Sequence, residues 1–565
     1  MTPDAAAPPE LAPTHAAAIA AWARRDPDGI SLRWNEDGTW RSQTRRELAV
    51  QCGRVAAALA AVGITRRDRV GIVGPSSPWW LTAALGAQSA GGVTVGAYPT
   101  SAAPQLRYVF GHSGARFLFV ANAALLTNVL AVLDELPDVE RVIVFDATGS
   151  VPERHDGRIE SLATFLDRPG LSDADAAAYL HDVTATLDPD DLCTIVYTSG
   201  TTGEPKGALH SFRSISQCAR TVIPSMGYRA DDAYIVHLPL NHTAEQTYTV
   251  VMGSQVGWTM SFARSAATLA DDLCDVRPTI MFGVPRIFEK VRTAIEDDPS
   301  PPGENPLARF GLDRMRIAVC GGAPLPKETV SFFLGHGLRL CNTYGMTEGG
   351  AIACPWDRTP RPETCGVPFP GVEITIDDDG EILVRSDGVC LGYYRDPDAS
   401  KVLFTDNGFL RTGDLGRWSD GELEIIGRKK ELIITSGGKN INPSGIENAL
   451  TRDPYINQAV VIGNDRNYLV AVVELAAIPV QEFLAAQGIA TGSFEETVGR
   501  REVAELVGAA IEAVNEGLSR PEQIKRFAIL PRQLAITDPE LTQTMKIKRP
   551  QFEARYAELI EPLYG

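Results

Sequence analysis

An α/β fold is predicted: a large N-terminal domain of layered α/β subdomains, a small β-barrel-like subdomain, and a small α+β C-terminal domain. Three observations predict it. Helix-period and strand-period segments alternate through the first half of the 565-residue chain, which implies a mostly parallel sheet covered by helices. After about Gly366 the texture changes to short strands separated by Gly and Asp turns. From Lys430 a compact α+β segment follows, and the whole is too long for one ordinary core. The expected divisions are a disordered tail over 1–13, an N-terminal domain over 14–429 and a C-terminal domain over 430–565.

The elements run as follows. Residues 45–62 are amphipathic and alanine-rich, and 70–73 read as a strand. A helix over 78–90 and an extended 93–96 come next; 106–112, 117–120, 123–133 and 142–145 continue the alternation. Residues 146–191 are acidic and irregular with one short helix, a surface excursion. Asp297-Asp298-Pro299-Ser300-Pro301-Pro302-Gly303-Glu304-Asn305 is a loop insertion. Strands over 372–376, 380–384 and 421–426 build the barrel-like part. The C-terminal domain should hold strands over 432–435, 458–462 and 469–474, and helices over 443–451 and near 480–486 and 501–518. There are no internal repeats.

Composition excludes several classes. The net charge of −18 argues against nucleic acid as a partner, because phosphate contacts need a basic surface. An anionic ligand would have to be held by a locally basic site. The nine cysteines show no C-x-x-C spacing, so neither a zinc ribbon nor a redox pair is supported, and scattered thiols suit a reducing cytoplasm. Cys193 and Cys320 read as core, as do Trp79, Trp80 and Trp258. The N-terminus lacks a basic start followed by an apolar block, so no signal peptide is expected. No stretch approaches the ~20 apolar residues that span a bilayer. A cytoplasmic protein, free or peripheral to a membrane, is the expectation.

The chemistry-bearing segment is Tyr197-Thr198-Ser199-Gly200-Thr201-Thr202-Gly203-Glu204-Pro205-Lys206-Gly207, after a buried strand at 192–196. Glycines let backbone N–H groups approach phosphate oxygens, hydroxyls add donors and Lys206 supplies charge. It is not the common P-loop, which needs Ser or Thr directly after the lysine, nor a dinucleotide fingerprint. A surface loop rich in turn formers is the bland alternative. The pattern resembles the phosphate-binding loop of the AMP-forming, adenylate-forming superfamily, which comprises acyl-CoA synthetases, peptide-synthetase adenylation domains and luciferases.

Other segments extend the resemblance from about residue 15 to 560. In His237-Leu238-Pro239-Leu240-Asn241-His242-Thr243, a helix starts near Thr243, and a helix N-terminus beside a His suits a carboxylate. A capped helix beside a buried His is an equal reading; the resemblance puts His242 at the acyl carboxylate. Gly283-Val284-Pro285-Arg286-Ile287-Phe288 reads as Pro285 starting a packing helix. It also resembles the long-chain fatty acyl-CoA synthetase branch. Cys320-Gly321-Gly322-Ala323-Pro324 and Asn342-Thr343-Tyr344-Gly345-Met346-Thr347-Glu348 follow strands, where open α/β sheets place ligands. Tyr344 offers a flat face for adenine, Thr347 a donor to phosphate and Glu348 a hard oxygen ligand for Mg²⁺. Asp414 in Arg411-Thr412-Gly413-Asp414 has two acceptor oxygens for ribose hydroxyls, although Asp in a turn is often only a turn residue.

The resemblance implies the remaining roles. ATP would contact Thr198 to Gly203, Lys206, Gly322, Ala323, Pro324, Asn342, Thr343, Tyr344, Gly345, Thr347, Asp414, Arg428 and Lys546. Mg²⁺ would be held by Thr198 and Glu348. Lys546, in Thr542-Gln543-Thr544-Met545-Lys546, matches the catalytic-lysine loop, with Thr544-Met545 where many members have Ser-Gly. Catalysis would fall to Lys546, Lys206, His242, Thr347 and Glu348. A mobile C-terminal lid would rotate about Lys430, bringing Ser436, Gly437 and Gly438 toward the thiol of CoA. The implied activity is an ATP-dependent ligation of a lipophilic, long-chain fatty acid to CoA through an acyl adenylate, with release of pyrophosphate. The alternatives are a carrier-protein thiol as acceptor in trans, a polycyclic or terpenoid acid as substrate, or a nucleotide-binding scaffold without turnover.

Overall fold

The computed structural model describes residues 11–146, 157–198, 204–297, 304–490, 492–535, 538–542 and 546–565. Of the expected tail, residues 1–10 lie outside this description, while Ala12 is docked through a reciprocal backbone–side-chain pair with Gln255 (2.9 and 3.0 Å).

Two seven-stranded sheets dominate. The first runs Ile159–Ser161, Arg141–Val144, Ala115–Val120, Arg69–Val73, Val93–Ala97, Leu192–Thr198, Lys206–Ser211. All its pairings are parallel except the last, an antiparallel hairpin. The second runs Leu340–Asn342, Ile317–Cys320, Ile280–Gly283, Ala233–Val236, Thr259–Phe262, Ile30–Glu36, Thr39–Thr44, again parallel until its final hairpin.

The helices between them start at chemical stops. Arg45–Ala61 begins with a Thr44–Glu47 capping box, and Pro78–Ser89 begins with the Ser77 hydroxyl on the Trp80 N–H and Pro at the first turn. They pack closely because Gly86 has no side chain: a Cβ there would lie 2.6 Å from Val55. One apolar core joins both sheets to the barrel-like part through Leu32, Trp80, Tyr234, Trp258, Ile382 and Leu423, all buried.

The barrel-like part consists of two antiparallel sheets. One is a four-stranded meander, Glu373–Ile376, Glu381–Arg385, Leu410–Ser419, Glu422–Arg428. The other has three short strands, Tyr344–Met346, Gly350–Cys354 and Val367–Pro368. After it, the sheet of Ile456–Ile462, Leu469–Leu475 and Ile524–Ile529 carries its own core with the helix Arg501–Glu516.

Several expectations change. The stretch 146–191, expected to hold one short helix, contains a strand at the sheet edge and two helices, Leu162–Asp167 and Asp173–Thr184. The second is anchored on Arg45–Ala61, where a Cβ on Gly53 would strike the Ala176 carbonyl. Trp79, expected in the core, is exposed at the first turn of its helix while its neighbour Trp80 is buried; helical geometry sends adjacent side chains to different faces. Most of the expected loop after Asp297 lies outside the described residues. Cys274 is exposed and the other eight cysteines are buried.

Candidate active site

Four parallel neighbours of the second sheet end at one edge. Ala233–Val236 delivers His237 to His242, Ile280–Gly283 abuts Gly321, Ile317–Cys320 delivers Gly321 and Gly322, and Leu340–Asn342 delivers Tyr344 to Glu348. Carboxyl ends of parallel strands are where open sheets leave room for a ligand. Gly322 takes φ +81°, a conformation that favours glycine, and its carbonyl points into this region.

The hairpin Leu192–Thr198/Lys206–Ser211 carries the loop expected to bind phosphate, with Thr198 paired to Lys206 across it. Ser199, Gly200, Thr201, Thr202 and Gly203 lie outside the described residues. Lys206 is half exposed. Its Nζ lies 3.7 Å from Asp396 Oδ2 and over the ring of Tyr393, 5.1 Å from the centroid. The Thr198 hydroxyl donates to the Lys206 carbonyl at 3.4 Å.

Tyr393 leads on to Glu348: its hydroxyl donates to Oε1 at 2.8 Å. Glu348 is mostly buried, and its backbone carbonyl accepts from the Cys390 N–H at 2.7 Å. Next to it, the Thr347 hydroxyl accepts from Thr243 at 3.0 Å and the Thr347 carbonyl accepts from His210 Nε2 at 2.9 Å. Burial lowers the His210 pKa to about 4, so the ring is neutral, and donation from Nε2 fixes its tautomer.

His242 caps the helix that begins at Thr243. Its Nδ1 accepts from the Ala244 N–H at 3.2 Å, so its proton sits on Nε2. Burial first, and the Lys546 ammonium second, lower its pKa to about 4. His242 is therefore a neutral N–H donor, suited to a carboxylate without competing for its proton.

Asp414 is buried on the meander. It accepts from the Tyr344 hydroxyl at 2.8 Å and pairs with Arg428 Nε at 3.1 Å, its partner in strand register. Burial raises its pKa, against the pull of Arg428 and Tyr344. Lys546 reaches across from the C-terminal segment: Nζ donates to the Gly322 carbonyl at 3.3 Å, and the Thr542 hydroxyl accepts from its N–H at 3.0 Å. Its cleft is open to solvent, yet the surrounding protein and then Arg428 lower its pKa, opposed by Glu431 and Asp414. His242, Gly322, Asp414, Arg428 and Lys546 thus share one electrostatic neighbourhood.

Some expected residues are engaged elsewhere. Asn342 donates to the Thr364 carbonyl at 3.3 Å and Thr343 to the Ala353 carbonyl at 2.9 Å, which fixes the turn that carries Tyr344. Gly345 is exposed, and a Cβ there would lie 2.7 Å from the Gly350 carbonyl. Ala323 and Pro324 are exposed beside Gly322. Lys430 sits in an exposed turn, Lys429–Glu431, anchored by Lys429 on Asp379 and, at 3.0 Å, on Glu381. Ser436 donates to Asn467 at 2.7 Å, and Gly438 takes φ +73° in the same exposed hairpin loop as Gly437. That loop bonds within the C-terminal segment.

Sequence reasoning assigned no role to Asp396, His210, Thr243 or Glu431. Asp396, His210 and Thr243 meet Lys206 and Thr347 across long stretches of sequence, and no local pattern marks those contacts. Arg286, read as packing, also donates to Asn457 at 3.0 Å, and Arg452 pairs with Glu328 at 3.3 Å; both contacts tie the C-terminal segment to the rest.

Among the described residues no three His, Cys, Asp or Glu converge as a metal centre. Glu348 presents one carboxylate with Oε1 engaged and Oε2 left for a cation. That suits Mg²⁺, which is commonly held by one or two carboxylates and the phosphates of a nucleotide.

Comparison with known proteins identifies the family and the fold. The AMP-binding enzyme family model matches residues 19–394, and the AMP-binding enzyme C-terminal domain model matches 430–565. A long-chain-fatty-acid–CoA ligase of Mycobacterium bovis is 31% identical, covering 96% of this chain and 95% of its own. One of Mus musculus is 30% identical, over 90% and 80% of the two chains. Among solved structures, an anthranilate CoA ligase in complex with anthranoyl-AMP superposes with a TM-score of 0.75 at 19% identity, covering 99% of this chain and 100% of that one. An ATP-bound MatB from Rhodopseudomonas palustris gives 0.72 at 24% identity, over 96% and 99%. At these identities the two structures speak for the fold.

Proposed function

The chain belongs to the AMP-binding enzyme family, and from that premise we propose that it is an ATP-dependent acyl-CoA ligase for long-chain fatty acids. The observation that carries the reading is the reach of Lys546 to Gly322, in the field of Asp414, Arg428 and His242. An ammonium held there can bridge two anions that otherwise repel, a carboxylate and the α-phosphate of ATP.

Each residue then has a task. Asp414 accepts the ribose hydroxyls, held in place by Tyr344 and Arg428. Lys206 and the loop before it bind the outer phosphates. His242 donates from Nε2 to the acyl carboxylate. Thr347 donates to a phosphate oxygen from a loop pinned by His210 and Thr243. Glu348, with Thr198, would hold Mg²⁺, which lowers negative charge at the phosphates when it is bound. The carboxylate oxygen attacks the α-phosphorus, the bond to pyrophosphate breaks, and an acyl adenylate forms. Charge neutralisation at the transferring group is the main contribution a protein makes to such a step.

Thioester formation needs the acyl carbon exposed to a thiol. Lys546 must withdraw, and rotation of residues 430–565 about Lys430 accomplishes that and turns Ser436, Gly437 and Gly438 toward the site. The long-chain relatives support a fatty acid as substrate and CoA as acceptor. Among the described residues no helix is long and apolar enough to cross a membrane. The test is purified protein with ATP, Mg²⁺, CoA and a panel of carboxylic acids, reading pyrophosphate and thioester. Pyrophosphate and acyl-CoA from long-chain acids are expected. No pyrophosphate with any acid would refute the reading, and adenylate without transfer to CoA would move the acceptor to a carrier-protein thiol.

A further inference from the structure

Tyr393 touches two groups that the proposed function assigns to different ligands. Its hydroxyl donates to Glu348 Oε1 at 2.8 Å, and its ring face lies under the Lys206 ammonium at 5.1 Å. We infer that Tyr393 is a positioning residue that sets the metal-binding carboxylate and the phosphate-binding ammonium from two features of a single ring. The inference rests on the proposed function, since it takes Glu348 as the Mg²⁺ ligand and Lys206 as the phosphate ligand.

The backbone makes the ring a rigid reference. The Leu209 N–H donates to the Gly392 carbonyl at 2.9 Å, and the Tyr394 N–H donates to the Gly207 carbonyl at 2.8 Å. Ala208 and Tyr393 form an antiparallel bridge. Residues 392–394 therefore run along the free edge of the strand that begins at Lys206. The Tyr393 N–H is further fixed by the Ser400 hydroxyl at 2.8 Å. Any displacement of the phosphate hairpin carries the ring with it.

The two contacts reinforce each other. A phenol that donates to a carboxylate gains electron density, and a richer ring face attracts a cation more strongly. Asp396 Oδ2, 3.7 Å away, is a second partner of the Lys206 ammonium. Between ring and carboxylate, Lys206 is aimed before a nucleotide arrives. The Tyr393 hydroxyl occupies Oε1 and leaves Oε2 for the cation.

Calorimetric titration with ATP, with and without Mg²⁺, separates the two contacts. Tyr393→Phe keeps the ring and removes the donor. It should raise the Mg²⁺ concentration needed for half-maximal enhancement of ATP binding about tenfold, the scale of one hydrogen bond to a charged group. Its affinity for metal-free ATP should fall only slightly, because the ring face under Lys206 remains although it is no longer enriched by the donated proton. Tyr393→Leu removes the ring as well and should weaken metal-free ATP binding about threefold more. An unchanged Mg²⁺ requirement in Tyr393→Phe overturns the inference, as does equal loss of metal-free binding in both variants. If the unaltered protein itself binds ATP with no enhancement by Mg²⁺, the assignment of Glu348 falls and takes the inference with it. That failure is visible before any variant is made.

Discussion

Replacing Lys546 by Ala removes a single cation from between the two reacting anions, and the structure sets the size of the effect. The ammonium sits in the cleft at 3.3 Å from the Gly322 carbonyl, and the surrounding protein first, Arg428 second, lower its pKa. At about 4 Å and an effective dielectric near 20, one pair of unit charges is worth roughly 4 kcal/mol. Because the cleft admits solvent, about half of that is the lower bound. A loss of about 2–4 kcal/mol corresponds to roughly a 30- to 1,000-fold slower adenylation. Thioester formation from supplied acyl adenylate does not use this ammonium and should proceed at nearly the unaltered rate. ATP–pyrophosphate exchange measures the first step, and consumption of synthetic acyl-AMP by CoA the second. Equal loss in both assays would refute the bridging role, as would adenylation within threefold of the unaltered enzyme, which corresponds to only about 0.65 kcal/mol.

Three further outcomes follow from individual contacts. Asp414→Asn keeps an acceptor for Tyr344 but removes the charge that faces Arg428 and the second ribose acceptor; the KM for ATP should rise about tenfold with the Mg²⁺ requirement unchanged, and an unaltered KM would remove Asp414 from the nucleotide site. Lys430→Pro fixes one backbone dihedral in the turn Lys429–Glu431, so adenylation should persist while thioester formation slows; full rates in both steps would move the hinge elsewhere. His210→Gln tests a stability term. The folded pKa of His210, about 4, lies below the ordinary 6.5, so the unfolded chain binds the extra proton in that window and the fold loses stability as pH falls from 6.5 toward 4. Denaturant unfolding should show the unaltered protein losing about 1.4 kcal/mol per pH unit relative to His210→Gln in this range, and parallel pH profiles would refute the buried neutral ring.

The fold was legible where hydrophobic period and punctuation agreed. Ser77 before Pro78 announces a helix, and the apolar run at 192–196 announces a buried strand. Legibility failed where packing alone decides. Asp173–Thr184 is acidic and weakly apolar; Ser172 caps it locally, but its docking depends on Ala176 and Leu180 meeting Gly53 on another helix, which no local pattern announces. Trp79 and Trp80 are chemically identical in sequence, and only the orientation of the helix separates the exposed one from the buried one.

The site divides in the same way. Residues whose own chemistry is the message, such as Lys206, Glu348, Asp414 and Lys546, stand out in a linear reading because glycines and hydroxyls surround them. What aims them does not stand out, because each aiming contact spans a long stretch of chain. Glu348 is set by Tyr393, 45 positions away; Asp414 by Tyr344, 70 away; Thr347 by Thr243 and His210, 104 and 137 away; and Lys546 by Gly322, 224 away. Each pair joins two different layers: hairpin to turn, meander to sheet end, C-terminal segment to glycine carbonyl. A charged motif therefore states which bond is to be made, whereas tolerance to substitution will be governed by neutral partners such as Tyr393, Thr243 and His210. A chain that kept every charged residue but lost these three would carry the same charges without the side-chain contacts that set Thr347 and Glu348.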